Sequence, residues 1–186
     1  MTSVQRSETE RAVAILTEAF AGDPVGRWLV PGDGAEIFAP PAAESAAVGE
    51  LAFAGNDAVA VWLPVSAERR VVEEFDPPED VPERVRIFVE LIAARHPSGR
   101  AHLYLPFLGV RPEQQGRGLG GRLLADRLAR ADAEALPAYL EASSPRNVPL
   151  YERHGFRPTG DPIHLPDGPS VLPMWREPNP SQGDLR

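Results

Sequence analysis

The sequence predicts a mixed α/β fold, and three features predict it. From His102 to Val110 (HLYLPFLGV) the chain reads as a strand, and Leu119, Leu123, Leu124 and Leu128 then make the single apolar stripe of a helix. Between the two lies a turn carrying Gly116, Gly118, Gly120 and Gly121. Upstream, Val48 to Ala54 and Ala58 to Leu63 read as a hairpin about the turn-forming Gly55-Asn56-Asp57. Helical spacing appears at Ala12, Val13, Leu16, Ala19 and Phe20, and again at Val81, Val85, Phe88, Val89 and Ile92. Strands interleaved with amphipathic helices give a sheet covered by helices.

In chain order, Ser7-Glu8-Thr9-Glu10 reads as a capping box that starts a helix at Glu8. Gly22-Asp23-Pro24 ends that helix, and Val25 to Val30 forms a short second helix or turn. Residues 39–44 (APPAAE) read as a loop, and Pro64 ends the second hairpin strand. The charged run from Ser66 to Pro78 reads as a flexible loop. Asp80 with Glu83 is an N-cap pair, and His96-Pro97-Ser98-Gly99 stops the helix that follows it. In the central strand Pro106 cannot donate to a ladder and Gly109 offers no side chain to pack, as expected at a bulge or where a neighbouring strand departs. The long helix should end near Ala133 to Ala135, with a strand from Ala138 to Ala142. A short helix from Pro149 to His154 is capped by Gly155, and Pro158 to Met174 forms a final hairpin turning at Asp167-Gly168. Nothing marks a domain boundary, so residues 1–186 read as one domain with a disordered tail at 178–186.

A formal net charge of −8 argues against general nucleic-acid binding. No run is long enough to span a membrane and no signal-peptide core opens the chain, so a cytoplasmic location is expected. The chain has no cysteine, which excludes disulfides, thiolate metal sites and an acyl-cysteine intermediate. Its four histidines (His96, His102, His154, His164) show no metal-ligand spacing, so no metal is expected.

The strand, the glycine turn and the helix N-terminus together make an anion site. The first helical N–H groups have no intrahelical partner, and glycine lets backbone close on a phosphate. The turn is not a P-loop, because the chain contains no lysine, and its glycine spacing is not that of a dinucleotide fold. It resembles instead the Q/R-x-x-G-x-G/A signature of the GCN5-related N-acetyltransferases, through Gln115-Gly116-Arg117-Gly118-Leu119-Gly120. A second block, Ala138 to Phe156 (AYLEASSPRNVPLYERHGF), resembles the strand and helix that carry that family's tyrosine, in wording most similar to the puromycin N-acetyltransferase branch.

The resemblance implies a mixed sheet of about six to seven strands, splayed at the middle and flanked by helices on both faces. It implies acetyl-coenzyme A as cosubstrate, its pyrophosphate held by Gln115, Gly116, Arg117, Gly118, Leu119, Gly120 and Gly121. Its pantetheine would lie along Leu108, Gly109 and Val110, with an N–H near Leu108 facing the thioester oxygen. Many members carry an asparagine seven residues before the tyrosine. Ser144 stands there in this chain and Asn147 only four before, so Asn147 is the cofactor-binding candidate by its branch alone. Phe20, Asp23 and Trp28 belong to the region that walls the family's acceptor pocket, though Phe20 and Trp28 also fit a core role.

Acetyl transfer to an amine needs a base for the amine, a donor for the developing oxyanion and a proton for the departing thiolate. Tyr151 is the candidate acid, against the alternative of a core aromatic. Glu141 is the candidate base, where some relatives carry a glutamate, against the alternative of a salt bridge to a buried arginine. Tyr104 and His102 could instead order a water relay. The expected function is N-acetylation of a primary amine on a small molecule, by direct attack in a ternary complex, with an antibiotic-like amine suggested by the puromycin branch. Two alternatives stand: a non-catalytic coenzyme A-sensing module, and an enzyme acting on a protein amine. The expected state is a monomer or homodimer.

Overall fold

The computed structural model describes residues 2–29, 35–69 and 81–179. Six α-helices are described: α1 (Ser3–Phe20), α2 (Pro24–Leu29), α3 (Ala35–Ala47), α4 (Glu83–Ala93), α5 (Leu119–Ala133) and α6 (Val148–Arg153). The strands are β1 (Leu51–Ala54), β2 (Ala58–Val65), β3 (His102–Val110), β4 (Ala138–Ala142), β5 (Arg157–Pro158), β6 (Ile163–His164) and β7 (Ser170–Arg176). They form a seven-stranded sheet in the order β1-β2-β3-β4-β7-β5, with β6 also paired to β7. Every pairing is antiparallel except β3 with β4. The α/β fold expected from the sequence is the one observed.

Alternation along the strands divides the sheet into two packed faces. Ala58, Ala60 and Trp62 of β2, Leu103 and Leu105 of β3, and Ala138, Leu140 and Ala142 of β4 pack against Leu123, Leu124, Leu128 and Ala131 of α5. On the opposite face Val59 and Val61 meet Ala12, Ile15 and Leu16 of α1 and Phe38 and Ala42 of α3.

Two irregularities in β3 position the functional site. Opposite β2, Tyr104 pairs with Leu63 and Phe107 with Val61, so Leu105 and Pro106 together face Trp62 alone. This bulge, where Pro106 withholds a donor, changes the parity of the strand. Tyr104 and Phe107, three residues apart, therefore share the α1 side of the sheet, which a regular strand would forbid. On its other edge β3 pairs with β4 only at Leu103↔Ala138 and Tyr104↔Tyr139. Beyond Tyr104 the two parallel strands part.

Several boundaries differ from the sequence reading. Helix α1 starts at Ser3 because Thr2 and Gln5 form the capping box: Gln5 N donates to Thr2 Oγ1 at 3.2 Å and Thr2 N to Gln5 Oε1 at 2.8 Å. The Ser7–Glu10 pattern lies inside the helix. Residues 39–44, expected as a loop, belong to α3 despite Pro40 and Pro41. Phe38, Ala42 and Ala46 recur every four residues and are buried, and that packing outweighs the two missing donors. Strand β2 runs through the exposed Pro64 to Val65. Asp80 and most of the Ser66–Pro78 run lie outside the described residues. Of the expected tail, Asn179 is held by its N–H donating to Asp132 Oδ1 at 2.7 Å, and 180–186 lie outside the described residues.

Candidate active site

The parting of β3 from β4 opens a cavity of about 610 Å³ lined by Leu108 and Val110 of β3, Gln115, Gly116, Gly118, Leu119, Gly120 and Gly121 of the turn, and Asn147, Leu150 and Tyr151 around α6. The turn takes its shape from backbone that side chains resist. Gly116 and Gly118 have φ of +78° and +79°, and Gly118 is the N-cap of α5. Gln115 Nε2 donates to Val110 O at 3.2 Å and fastens the turn to the end of β3. Gly118 caps α5 without a side-chain hydrogen bond, and Leu119, Gly120 and Gly121 of its first turn border the cavity, an arrangement suited to a phosphate.

Of the residues expected here, Leu108, Val110, Gln115, Gly116, Gly118, Leu119, Gly120, Gly121 and Asn147 line this cavity. Gly109 and Arg117 do not. The space a Cβ on Gly109 would need is taken by Leu16 Cδ2 (2.8 Å) and Ala19 Cβ (3.1 Å), so this glycine exists to let α1 cross β3. Arg117 is exposed on the outside of the turn. Arg146 and Arg153 do line the cavity and escaped the sequence reading. Their positions, five before and two after Tyr151, were the available signal.

A second cavity, of about 440 Å³, lies on the α1 side of the sheet. Its walls come from Thr17, Phe20 and Arg27 on α1 and α2, Phe38 on α3, Phe88 on α4, Tyr104 and Phe107 on β3, and Glu141 on β4. Phe20, Leu108, Asn147 and Tyr151 border both cavities, so the two meet there.

Glu141 sits at this second cavity on the same face as Tyr104, whose hydroxyl donates to Glu141 Oε2 at 2.9 Å. Its other oxygen, Oε1, is buried with no hydrogen-bond partner among the described residues. Burial pushes the carboxyl up to about 7, against the opposing pull of the Tyr104 hydrogen bond and the nearby Tyr139 hydroxyl. Tyr139 still stands outside hydrogen-bonding geometry. No arginine among the described residues pairs with Glu141, so the alternative of a structural salt bridge does not hold for them.

Tyr151 is buried on α6, its ring edge-on to Phe156 at 6.1 Å. Burial, and then the Asp23 carboxylate, push its phenol well above the ordinary value, so it stays protonated at neutral pH. Asp23 itself caps α2, with Oδ1 accepting from Val25 N (2.9 Å) and Gly26 N (3.1 Å). Its Oδ2 accepts from Ser143 Oγ at 2.8 Å, which ties the α1–α2 corner to the end of β4. Asp23 borders the first cavity and not the second.

Besides Asp23, two more residues expected on the acceptor side lie off its cavity: Trp28, expected at its wall, and His102, expected in a water relay. Trp28 borders neither cavity; it packs with Ile92, Ile163, Leu165 and Val171, and its Nε1 donates to Pro166 O at 2.9 Å. An indole needs one acceptor when buried, and the final hairpin supplies it. His102 is fully buried behind Tyr104. Its Nδ1 faces Arg100 O at 2.8 Å, and its Nε2 stands 3.0 Å from His96 Nε2. The carbonyl requires the proton on His102 Nδ1, so His96 Nε2 is the donor between the rings. Burial holds both rings below the ordinary value, His96 at about 3.

Residues 85–177 match the family model described as acetyltransferase (GNAT) domain. The chain belongs to this family. The family is one of acetyltransferases, which implies acetyl-coenzyme A as cosubstrate. A stretch of 53 residues is 42% identical to an uncharacterized N-acetyltransferase of Schizosaccharomyces pombe, a match over 28% of this chain and 22% of that relative. Among solved structures, the histone acetyltransferase HPA2 and related acetyltransferase from Corynebacterium glutamicum aligns with 96% of this chain and 94% of its own, at 27% identity and a TM-score of 0.58. The Drosophila melanogaster polyamine N-acetyltransferase, which forms N-acetylagmatine, shares the fold at a TM-score of 0.65 and 18% identity, over 92% of this chain and 95% of that one. The mosquito protein arylalkylamine N-acetyltransferase like 5b does so at 0.62 and 16%, over 91% and 94%. No helix among the described residues is long and apolar enough to cross a membrane.

Proposed function

We propose that this acetyltransferase moves the acetyl group of acetyl-coenzyme A directly to the primary amine of a small molecule, with both substrates bound at once. The observation that carries this reading is the meeting of the two cavities at Phe20, Leu108, Asn147 and Tyr151. A donor reaching that point from the splayed strands and an amine reaching it from the α1 side need no covalent intermediate, and the chain has no cysteine to form one.

Acetyl-coenzyme A supplies the activated acyl group. The unpaired β3 edge beyond Tyr104 offers backbone to its pantetheine amides, by strand addition, and the glycine turn faces its pyrophosphate. Glu141, which borders the acceptor cavity, takes the proton released by the attacking amine, while Tyr104 holds its carboxylate in place through Oε2. A carboxyl raised to about 7 is a stronger base than an exposed one and still ionised above neutrality. The Tyr151 hydroxyl, held protonated, donates to the sulfur as the C–S bond breaks. Because its acidity is weakened by burial, it acts through a hydrogen bond to the developing thiolate.

The acceptor reading rests on shape. Helices α1 and α2 cover the second cavity through Phe20, Val25, Gly26, Arg27 and Leu29, which suits a small molecule over an extended protein segment. The polyamine and arylalkylamine proteins named above share this fold and agree with that choice in kind. None of the relatives named above is a puromycin N-acetyltransferase, so the wording shared with that branch supports acetyl transfer and is not extended to its acceptor. The test is initial-rate kinetics with an amine panel, read by released thiol. Intersecting double-reciprocal lines are expected; parallel lines would sink direct attack, and no turnover of any amine would favour a sensing role.

A further inference from the structure

The acceptor cavity segregates its apolar and charged groups. Phe20, Phe38 and Phe107 make a three-ring cluster in its wall. Phe38 and Phe20 each meet Phe107 edge to face, with centroids 5.0 and 5.9 Å away and interplanar angles of 83° and 84°. Phe20 and Phe38 stand 5.5 Å apart. Phe88 adds a further ring from α4. Such a cluster presents faces and edges that suit one more ring, and aromatic pairs gain beyond their buried area.

The charged lining is sparse. Among the described residues it consists of Glu18, Arg27 and Glu141. Glu18 is exposed and ion-paired with Arg111, and Arg27 is an exposed cation on α2. Among the described residues Glu141 is thus the one interior carboxylate bordering the cavity, and its Oε1 is buried without a hydrogen-bond partner. A single ammonium can be satisfied there. A second one would lie among phenyl rings under the field of Arg27, where cation–π contacts recover less than dehydration takes.

We propose that the acceptor is a monoamine carried on an aromatic body, its ring seated against Phe20, Phe38 and Phe107 and its nitrogen at Glu141, and that diamines and polyamines are poor acceptors. The proposal rests on the acetyl-transfer reading of this cavity and narrows it to a substrate class.

The experiment compares kcat/KM for 2-phenylethylamine, n-hexylamine and 1,4-diaminobutane on the full chain. The aryl amine should exceed hexylamine by about tenfold, the scale of an added ring–ring contact, and the diamine by about 100-fold. Phe107→Leu should narrow the aryl-to-alkyl ratio about fivefold. A diamine used as well as the aryl amine overturns the class, and an unchanged ratio in Phe107→Leu overturns the ring's seat. Calorimetry on the coenzyme A-loaded protein separates this proposal from the reading beneath it. Binding of 2-phenylethylamine without turnover keeps the class and removes acetyl transfer. Binding of neither amine, or tighter binding of the diamine, removes the class.

Discussion

The two cavities share four residues but are made of different material. The cofactor side is built largely on one run of chain between Leu108 and Gly121, where four glycines present only backbone, with the α1–α2 corner and the α6 region closing it. The acceptor side is mainly side chains, brought together from α1, α2, α3, α4, β3 and β4. A backbone site depends on a few glycines and a register, so it persists while the sequence around it drifts. A side-chain site changes with every substitution in its wall. The match to the family model begins at residue 85, past α1, α2 and α3, which supply much of the acceptor wall.

The largest test strikes a residue that serves both sides. Tyr151→Phe keeps the ring against Phe156 and deletes the donor to the thiolate. Turnover should fall by about 10²–10⁴-fold with every acceptor, mainly in kcat, and calorimetry should show unchanged affinity for acetyl-coenzyme A. Wild-type turnover would remove Tyr151 from the mechanism.

Glu141→Gln belongs to the acceptor side alone. At pH 8 kcat/KM should drop by about 10²-fold or more. The wild-type profile should lose activity as pH falls through about 7, where the carboxyl takes a proton, and the variant should lack that limb. Stability should move the other way. A buried carboxyl whose pKa rises on folding binds protons more readily in the native state, so the wild type loses stability as pH climbs from about 4.5 to about 7. The glutamine variant escapes that loss and should melt higher than the wild type at pH 8. A lower melting point there would restore a structural role for Glu141.

Gly109→Ala tests whether the two sides can be uncoupled. Its Cβ would drive into Leu16 and Ala19 of α1, the helix that carries Thr17 and Phe20 into the acceptor cavity. A stability loss of about 1–3 kcal/mol by denaturant titration is expected, with a disturbed acceptor KM. Unchanged acceptor kinetics would separate β3 from that wall. Gly118→Ala should cost about 1–2 kcal/mol for its left-handed backbone and weaken acetyl-coenzyme A binding without altering amine selectivity. Smallest is Arg146→Ala, which should reduce coenzyme A affinity about threefold to tenfold and lose that effect at high salt. Salt-independent affinity loss would argue for packing instead.

What could be read in advance follows the same division. Glycines at 116 and 118, an apolar strand before them and a leucine stripe after them are local patterns, and they placed the turn, β3 and α5 within a residue or two. Pro106 foretold the bulge, because a missing donor has the same meaning in any context. Trp28 and His102 were misplaced for the opposite reason. Both are polar aromatics whose surroundings depend on distant partners, Pro166 for one and His96 for the other. Phe38 was hidden because Pro40 and Pro41 argue locally against the helix that buries it.

The sequence by itself determined the α/β order of elements and the place of the glycine turn, and it singled out the two residues, Glu141 and Tyr151, on which acetyl transfer is proposed to run. These rest on short-range rules: strand and helix periodicity, backbone freedom at glycine, and a motif confined to a few residues. Only the tertiary structure decided that Gly109 serves α1, that Arg146 and Arg153 border the cofactor cavity, and that three phenylalanines from different elements stand in one wall. The bulge at Leu105 and Pro106 is where the two meet. Proline made it legible, but its effect, turning Tyr104 and Phe107 to the same side of the sheet, depends on how β2 and β4 pair with β3, and pairing across a sheet is fixed by residues far apart in the chain.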